Sequence, residues 1–348
     1  MKFVSKPWLE QIMGTALARH GLSPMHRQDV VHGIMFASLR GVDTHGVPLF
    51  KTYLDELTTG RAKVQPAFEY VQHRAAIARL AADAALGMVA AAEATRRTIA
   101  LTKANGVGVV VVANSNHFGA ASVYATTMAR AGLVGVAMTN SDALVVPVNG
   151  RVSRLGTNPI SMAAEGDGGD LFCADLATSQ GSFLRSVALL DSRQVIPNGV
   201  LVDSQGQDLA THGGSPAALL PLGGYKGQCL GMIVAILCAL LAGEPFDWEL
   251  PNLFDGPFDQ PRRISHFFLG IDVGATTESS SFRRRLSEYL GAFRASPGVD
   301  NAAVACPGDL EREEQRTRAK KGIPITDEDY KFLMSLERRL LHDLPGDA

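Results

Sequence analysis

The sequence predicts an α/β protein, and three observations carry that prediction. The middle of the chain alternates helical and strand patterns between residues 87 and 138. Amphipathic helical patterns occupy both ends of the chain. Hydrophobic residues make up 46% and charged residues 20% of the 348 residues, a balance typical of globular proteins. This length suffices for two or three domains or for one large one.

The N-terminal region predicts three helices. Residues 1–21 form an amphipathic pattern without the continuous apolar core of a signal peptide. The second helix begins at Ser23-Pro24, because serine caps a helix and proline fits its first turn, and it ends at Gly41. The segment GVDTHGVPLF is predicted to be a loop, because its glycines and its proline resist helix formation. Residues Phe50 to Leu57 are predicted to be helical again.

Predicted helices and strands alternate in the middle of the chain. A helix is predicted from Gly87 to Lys103, followed by a strand from Val107 to Ala113. This strand is rich in β-branched residues and apolar on both faces, so it is predicted to be central in its sheet. A helix of small residues, Ala120 to Ala131, and a strand, Leu133 to Met138, complete the pattern.

Beyond Gly150 short strands and turns prevail before the chain closes in helices. The apolar segment Gln228 to Ala242 is too short to span a bilayer comfortably, so a buried core helix is predicted from Lys226 to Gly243. Asp247 to Arg263 is predicted to be a surface loop. The other predicted elements are strands at Ser161–Ala164, Leu171–Asp175 and Phe267–Val273, and helices at Phe282–Phe293, Asp309–Lys321 and Ile325–Leu341.

Composition argues against several classes of partner. The formal net charge is -2 and the first 300 residues contain no basic block, so nucleic acid is not expected as a partner. No membrane association is expected either. The four cysteines form no C-x-x-C pair and no zinc spacing, so we expect reduced thiols, a cytoplasmic protein and no metal.

Two histidines lie in loops rich in glycine and polar residues. His117 follows the central strand in ANSNHFGAAS, and His45 lies in Asp43-Thr44-His45-Gly46. A loop after a strand can direct a side chain into a cleft, where imidazole can move a proton near pH 7. The alternative is that both are ordinary loop histidines with satisfied hydrogen bonds. The remaining seven histidines occupy helix-face, turn or strand positions and are interpreted as structural.

Three turns could bind a ligand, although each could also be a plain turn. They are Gly156-Thr157-Asn158-Pro159, the segment Asp175 to Ser179, and Leu222 to Gly227 with Lys226. Backbone N–H groups at a helix start suit phosphate, and a lysine adds positive charge. The last turn is not a Walker loop. Gly106-Val-Gly108 precedes its strand, so it is no dinucleotide fingerprint.

Taken in order, NSNHFGAAS-x-YA, TNSD, LGTNPI, DLATS, PLGGYKG and CPGD resemble the type-2 malate/L-lactate dehydrogenase family across residues 8 to 340. The resemblance implies a non-Rossmann α/β fold with a mixed or largely antiparallel sheet. It also implies a helical unit built from both chain ends, residues 1–75 packing with 285–348, around a central nucleotide- and substrate-binding region, 76–284.

The resemblance also implies an activity. Members transfer a hydride between NAD(H) or NADP(H) and the C2 of a 2-hydroxy, 2-oxo or 2-imino acid. We therefore expect an oxidoreductase acting on a small carboxylic acid, with NAD or NADP as cofactor, as a homodimer. The alternatives are an NADPH-dependent reductase of a cyclic 2-imino acid, and a non-catalytic descendant that binds nucleotide.

Site residues follow from the matched motifs. The expected catalytic residues are His117, His45 and Asp142, with Asp142 orienting a histidine; which histidine gives the proton stays open. The expected substrate-binding residues are Thr44, Tyr53, Asn116 and Thr157. The expected cofactor-binding residues are Ser141, Asp175, Leu176, Ala177, Thr178, Lys226, Pro307 and Gly308.

One departure from the family concerns the substrate. Members usually carry an arginine three or four residues after the motif histidine, where Pro48 and Leu49 stand here. The bidentate clamp that a guanidinium gives a carboxylate is thus missing from its usual place. Either another cation, Arg40, Lys51 or Arg154, replaces it, or the substrate is bulkier or less charged.

Overall fold

A computed structural model describes residues 1–192 and 194–342. The helices in those residues are α1 Lys6–Arg19, α2 Pro24–Leu39, α3 Phe50–Thr59, α4 Gly87–Asn105, α5 Ser122–Arg130, α6 Phe183–Asp191, α7 Leu209–His212, α8 Tyr225–Ala235, α9 Ser279–Arg294, α10 Asp309–Lys321 and α11 Asp327–His342. The strands are β1 Lys2–Val4, β2 Glu69–Arg74, β3 Ile77–Ala81, β4 Val107–Ser115, β5 Leu133–Thr139, β6 Ile160–Glu165, β7 Leu171–Leu176, β8 Leu201–Val202, β9 Ala218–Leu219, β10 Ile264–Asp272 and β11 Ile323–Ile325.

A seven-stranded sheet forms the centre, in the order β2-β3-β4-β10-β5-β6-β7. β3 and β4 pair in parallel, and the other five neighbouring pairs are antiparallel. The expected mixed, largely antiparallel sheet is therefore confirmed, and it differs from the parallel sheet of a Rossmann fold. β10 comes late in the chain yet lies between β4 and β5.

The central strand β4 is buried on both faces, as predicted. Val110 and Val112 face the helices α4 and α5, and Val111 and Ala113 pack with α8 on the opposite face. Successive side chains of a strand point to opposite faces, so a run of valines supplies both cores. The strand continues two residues past the predicted end, to Ser115.

The two chain ends pack together. β1 pairs antiparallel with β11, and Trp8 Nε1 donates a hydrogen bond to Glu337 Oε1 at 2.9 Å. Leu9, Met13 and Leu333 share one apolar cluster at this junction. The proposed boundaries at residues 75 and 285 stay a prediction, and the predicted segment beyond residue 342 lies outside the described residues.

The helix predicted from Lys226 to Gly243 is present, but the prediction that it is buried holds for one side only. α8 runs on through a π-helical stretch, Ile236–Leu240, and packs one side against the sheet. Its other side is exposed and apolar, with relative accessibilities of 49% for Met232, 46% for Ile233, 48% for Ile236, 48% for Leu240 and 56% for Leu241. Composition alone could not separate the two sides, because both are apolar. Within the described residues, no helix is long and apolar enough to cross a membrane.

Candidate active site

The loop after β4 is held in place by Asn116. Asn114 turns the chain with a left-handed φ of 52°, a conformation that asparagine tolerates better than most residues. The buried Asn116 amide donates to the carbonyls of Ala84 and Ala85 at 3.1 and 2.9 Å. Its Oδ1 accepts from the Arg262 backbone at 3.3 Å. These bonds support a role in positioning His117 and leave little capacity for the expected substrate contact.

Three aromatic rings are stacked beside this loop. The His117 centroid lies 5.6 Å from that of His45 and 6.1 Å from that of Tyr53, with interplanar angles of 24° and 19°. Tyr53 Oη and His117 Nδ1 form a hydrogen bond of 2.8 Å. Thr44 Oγ1 lies 3.0 Å from His45 Nδ1. The structure thus assembles four of the predicted site residues from separate parts of the sequence.

The turn that carries His45 is anchored to a distant helix. Asp43, in the same 3₁₀ turn, accepts a hydrogen bond of 3.0 Å from Arg318 on α10. The Arg318 guanidinium also donates to the Ser38 carbonyl at 2.7 Å. A charge-assisted bidentate pair fixes orientation as well as distance, so the turn holds His45 in place.

Burial sets the protonation states of these rings. Burial is the largest cause that holds the pKa of His117 well below its usual value. The nearby His45 and Arg262 lower this pKa further. Burial also lowers the pKa of His45, against the opposing charge of Asp175. Burial and the charge of Glu56 raise the pKa of Tyr53 well above its usual value. At pH 7 both imidazoles are therefore neutral and the phenol keeps its proton.

Asp142 forms an ion pair with Arg262. Its carboxylate accepts from Arg262 and from Asn252 Nδ2, the latter at 3.1 Å. Among the described hydrogen bonds none joins Asp142 to a histidine, so the expected orienting contact is not formed directly. Its connection to His117 runs through Arg262, whose charge acts on that imidazole.

Two charged residues missed by sequence reasoning belong to the segment read as a surface loop. Arg262 is 1% exposed and Asp247 is 2% exposed, so that interpretation is wrong for both. Asp247 accepts from the Gly156 backbone at 2.9 Å and from Asn158 Nδ2 at 2.8 Å, and burial raises its pKa. It therefore shapes the turn that carries Thr157. No local pattern marks these positions, because their burial results from long-range packing.

A cleft of about 700 Å³, counting its open mouth, lies beside the stacked rings. Gly119, Ala120 and Ala121 form a wall of small residues next to His117. Asp175 and Ser122 also line the cleft, and Asp175 Oδ2 accepts a hydrogen bond of 2.9 Å from the Ser122 backbone N–H. The predicted site residues that line the cleft are Thr44, His45, Thr157, Asp175 and Ala177.

A chain of hydrogen bonds connects the predicted cofactor segments. The Thr157 backbone donates to Ser141 Oγ at 3.0 Å, and the Thr178 backbone donates to the Thr157 carbonyl at 2.8 Å. The Leu222 backbone donates in turn to the Thr178 carbonyl at 2.9 Å. Segments far apart in sequence therefore meet at the start of α8. Leu176, at the end of β7, is 39% exposed.

The start of α8 has the chemistry of a phosphate site. Lys226 is exposed in the first turn, and no described residue pairs with its ammonium. The first backbone N–H bonded within the helix is that of Gln228, so earlier amides remain free to donate. Gly223 and Gly224 have no atom within 4 Å of the position that a side chain would take. This open, positively charged turn fits a dinucleotide.

The Pro307-Gly308 turn is fixed against β7. The Cys173 backbone donates to the Pro307 carbonyl at 3.1 Å, and Gly308 has a left-handed φ of 97°. Asp309 accepts from Arg294 Nε at 2.8 Å. The turn is thus held beside Cys173, a residue of the cleft wall. Within the described residues, no group of three or more histidine, cysteine or acidic side chains is placed to hold a metal ion.

A neutral imidazole able to exchange one proton beside a cleft, together with an open helix start that carries a lysine and free backbone amides, is a layout suited to an enzyme that moves a hydride with a nucleotide. The protein is an NAD(P)-dependent oxidoreductase. The sequence profile described as malate/L-lactate dehydrogenase matches residues 4–334, and the chain belongs to that family.

Individual relatives match nearly the whole length of the chain. Ureidoglycolate dehydrogenase (NAD(+)) of Escherichia coli K12 is 31% identical over 339 residues, which cover 95% of each chain. The structure of malate dehydrogenase from Pyrococcus horikoshii superposes with a TM-score of 0.89 at 27% identity, covering 97% of this chain and 95% of that one. Delta1-piperideine-2-carboxylate reductase from Pseudomonas syringae superposes with a TM-score of 0.83 at 28% identity, covering 97% and 100%.

Proposed function

We propose that the protein interconverts a small 2-hydroxy acid and its 2-oxo acid, with His117 exchanging the proton at the C2 oxygen. The observation that carries the proposal is the 2.8 Å hydrogen bond between Tyr53 Oη and His117 Nδ1. It engages one ring nitrogen and leaves Nε2 without a described partner, in a ring that is stacked on His45 of the cleft wall. When bound, the nicotinamide would supply or accept the hydride.

His117 is suited to take a proton in the direction of oxidation. Its low pKa keeps it neutral at pH 7, the form that accepts a proton from a hydroxyl group. When Nε2 takes that proton, Nδ1–H donates to the Tyr53 oxygen and stabilises the imidazolium. A substrate carboxylate nearby adds negative charge and favours the same form. In reduction the imidazolium returns the proton to the C2 oxygen.

His45 and Asp142 support this chemistry in different ways. The stacked His45 ring limits the position of His117 and lines the cleft. Asp142 neutralises Arg262, which would otherwise depress the pKa of His117 further. We therefore propose His117 as the proton donor and acceptor and the other two as positioning residues.

The dinucleotide is proposed to occupy the path from the cleft to α8. Lys226 and the first-turn amides of α8 would hold its pyrophosphate, while Ser141 and the segment Asp175 to Thr178 would line it. Pro307 and Gly308 would close the side next to β7. Either NAD or NADP fits these contacts.

A second candidate is the reduction of a cyclic 2-imino acid. Pro48 and Leu49 leave the substrate side without the family's usual arginine, which suits a less charged ring. The structural similarity to the Pseudomonas syringae reductase supports this second candidate activity. His117 would then exchange its proton with the imine nitrogen.

We also propose that the protein is a cytoplasmic homodimer. The exposed apolar side of α8 is of the kind that a second copy of a chain covers, and sedimentation equilibrium measures the state directly. Four cysteines, all free and three of them buried, support a reducing compartment.

The test follows the near-ultraviolet absorbance of NADH and NADPH with a panel of acids. The panel holds pyruvate, oxaloacetate, phenylpyruvate and piperideine-2-carboxylate, so that it separates oxo from imino substrates. With the best substrate, His117→Ala should lower kcat by about a hundredfold or more, the usual effect of losing a positioned acid/base group. His212→Ala, at the exposed end of α7, is the matched control.

Two outcomes would contradict the proposal. Near-normal turnover by His117→Ala with a large loss in His45→Ala would move the proton transfer to His45. Nucleotide binding without oxidation by any panel member would favour a non-catalytic descendant.

A further inference from the structure

Arg40 is a largely buried cation, and the carboxylate of Glu311 in the same cleft acts on it without forming an ion pair. Its side chain is 5% exposed and lines the same cleft as Thr44 and His45. Among the described residues its guanidinium forms no hydrogen bond or ion pair, and its close neighbour is the Phe36 ring, 4.9 Å from the guanidinium carbon. Buried charges in proteins are normally paired, because an unpaired one loses its hydration without compensation.

The other two cations considered from the sequence are used elsewhere. Lys51 lies on the surface and pairs with Asp55 at 3.5 Å. Arg154 stacks over Trp248 at 5.3 Å. Neither lines the cleft, whereas Arg40 does.

The usual position of the family's arginine could not supply a cation here. Leu49 is 6% exposed and belongs to the apolar cluster at the junction of the chain ends. Pro48 is exposed in a short 3₁₀ turn. An arginine at position 49 would place its charge in the core, so that substitution would disrupt the fold rather than restore a clamp.

The charges around the cleft make Arg40 distinctive. The cleft's acidic side chains are Asp175 and Glu311, and its basic side chains are Arg40 and His45. Because His45 is neutral at pH 7, Arg40 carries the fixed positive charge among the described lining residues. An anion entering the cleft therefore finds one guanidinium to bind.

We propose that Arg40 binds the carboxylate of the substrate and replaces the arginine that Pro48 and Leu49 cannot provide. The inference rests on the proposed function, and it names the residue that selects for an acid. Arg40, Thr44 and His45 line the same cleft, so a carboxylate held by Arg40 would leave its neighbouring C2 carbon near the histidines. A guanidinium also binds phosphate, so the cofactor is the other source of the same chemistry.

The experiment compares Arg40→Met, Arg40→Lys and Arg130→Met. Methionine keeps much of the side-chain length and removes the charge. Arg130 is exposed on α5, so its replacement is the matched control for loss of a nearby arginine. For each protein we would measure nucleotide binding by fluorescence, and then the binding of oxamate, a non-reducible 2-oxo acid analogue, to the nucleotide complex by calorimetry.

We expect Arg40→Met to weaken oxamate binding at least ~tenfold and nucleotide binding less than ~twofold, since a charge-assisted pair is lost only on the substrate side. Arg40→Lys should bind oxamate with intermediate affinity, because it keeps the charge without the bidentate geometry. The Arg40→Lys variant also keeps the test valid if Arg40→Met does not fold. Arg130→Met should match the wild type in both measurements.

Three results would overturn the inference. Weaker nucleotide binding with unchanged oxamate binding would assign Arg40 to the cofactor phosphates. Unchanged binding of both, in an enzyme that turns over its substrate, would make Arg40 structural while leaving the proposed function intact. A wild type that neither binds oxamate nor reduces any panel acid would refute the proposed function itself.

Discussion

Replacing Gly87 by alanine tests how tightly the His117 loop is positioned. Gly87 is the first residue of α4, and a methyl group there would lie well inside 3.0 Å of the Asn116 carbonyl oxygen and the His117 carbonyl group. These are backbone atoms, which cannot turn aside as a flexible side chain would. The loop cannot slide freely either, because Asn116 is bonded to Ala84, Ala85 and Arg262.

The size of the effect follows from that geometry. Ordinary contact with such a carbon begins near 3.4 Å, so the loop must move by roughly 1 Å. Overpacking of this kind costs about 1–3 kcal/mol, whereas alanine gains at most ~1 kcal/mol in helix propensity. We therefore expect a net loss of roughly 1–2 kcal/mol in the free energy of unfolding. A displacement of ~1 Å at His117 should also lower kcat about a hundredfold.

The assay combines denaturant unfolding with steady-state kinetics on the same preparations. Gly14→Ala in α1 is the matched control, because no atom lies within 4 Å of its new methyl group. That variant should be more stable by about 0.5–1 kcal/mol and fully active. A Gly87→Ala enzyme with both wild-type stability and wild-type kcat would refute the view that backbone contact at Gly87 positions His117.

Two further predictions concern the cofactor and the response to acid. Lys226→Met should raise KM for the nucleotide about tenfold and leave KM for the acid nearly unchanged, because a phosphate contact is lost. Initial rates measure both constants, and the reverse pattern would mean that the nucleotide lies elsewhere. Burial lowers the pKa of His266 to about 3, while an unfolded imidazole titrates near ~6.5, so the unfolded chain binds more protons between these values. The stability contributed by the neutral ring is complete above about pH 6.5 and is lost as pH falls toward about 3, by ~1.4 kcal/mol per pH unit. In His266→Gln, denaturant unfolding between about pH 6 and about pH 4 should lack this slope, and equal slopes in both proteins would contradict the assignment.

Elements with local signals were predicted well. Ser23 caps α2 as expected, with its hydroxyl accepting from the His26 backbone at 3.2 Å. The bounds predicted for α10, Asp309 to Lys321, agree with the structure, because a glycine lies on each side of a highly charged segment. β2 was missed, since its residues are polar and mostly exposed at the edge of the sheet and lack the alternation that marks a half-buried strand.

The site was predicted in part for the same physical reason. His45, Tyr53 and His117 stood in recognisable motifs, and the structure brings them into contact. Arg262 and Asp247 stood among prolines and aspartates with no helical or strand period. Their burial depends on residues 91 and 146 positions away, which a local pattern does not encode.

The position of β10 also bears on how the chain is made. Residues 264–272 complete the ladders of both β4 and β5, which leave the ribosome much earlier. Until then those two strands have unpaired inner edges, and the Arg262 amide that holds Asn116 is not yet available. Loop closure over such a span is slow, and exposed edges invite aggregation. The growing chain is therefore expected to depend on chaperones until this last central strand has been synthesised, and a translational stall before residue 272 should yield insoluble product.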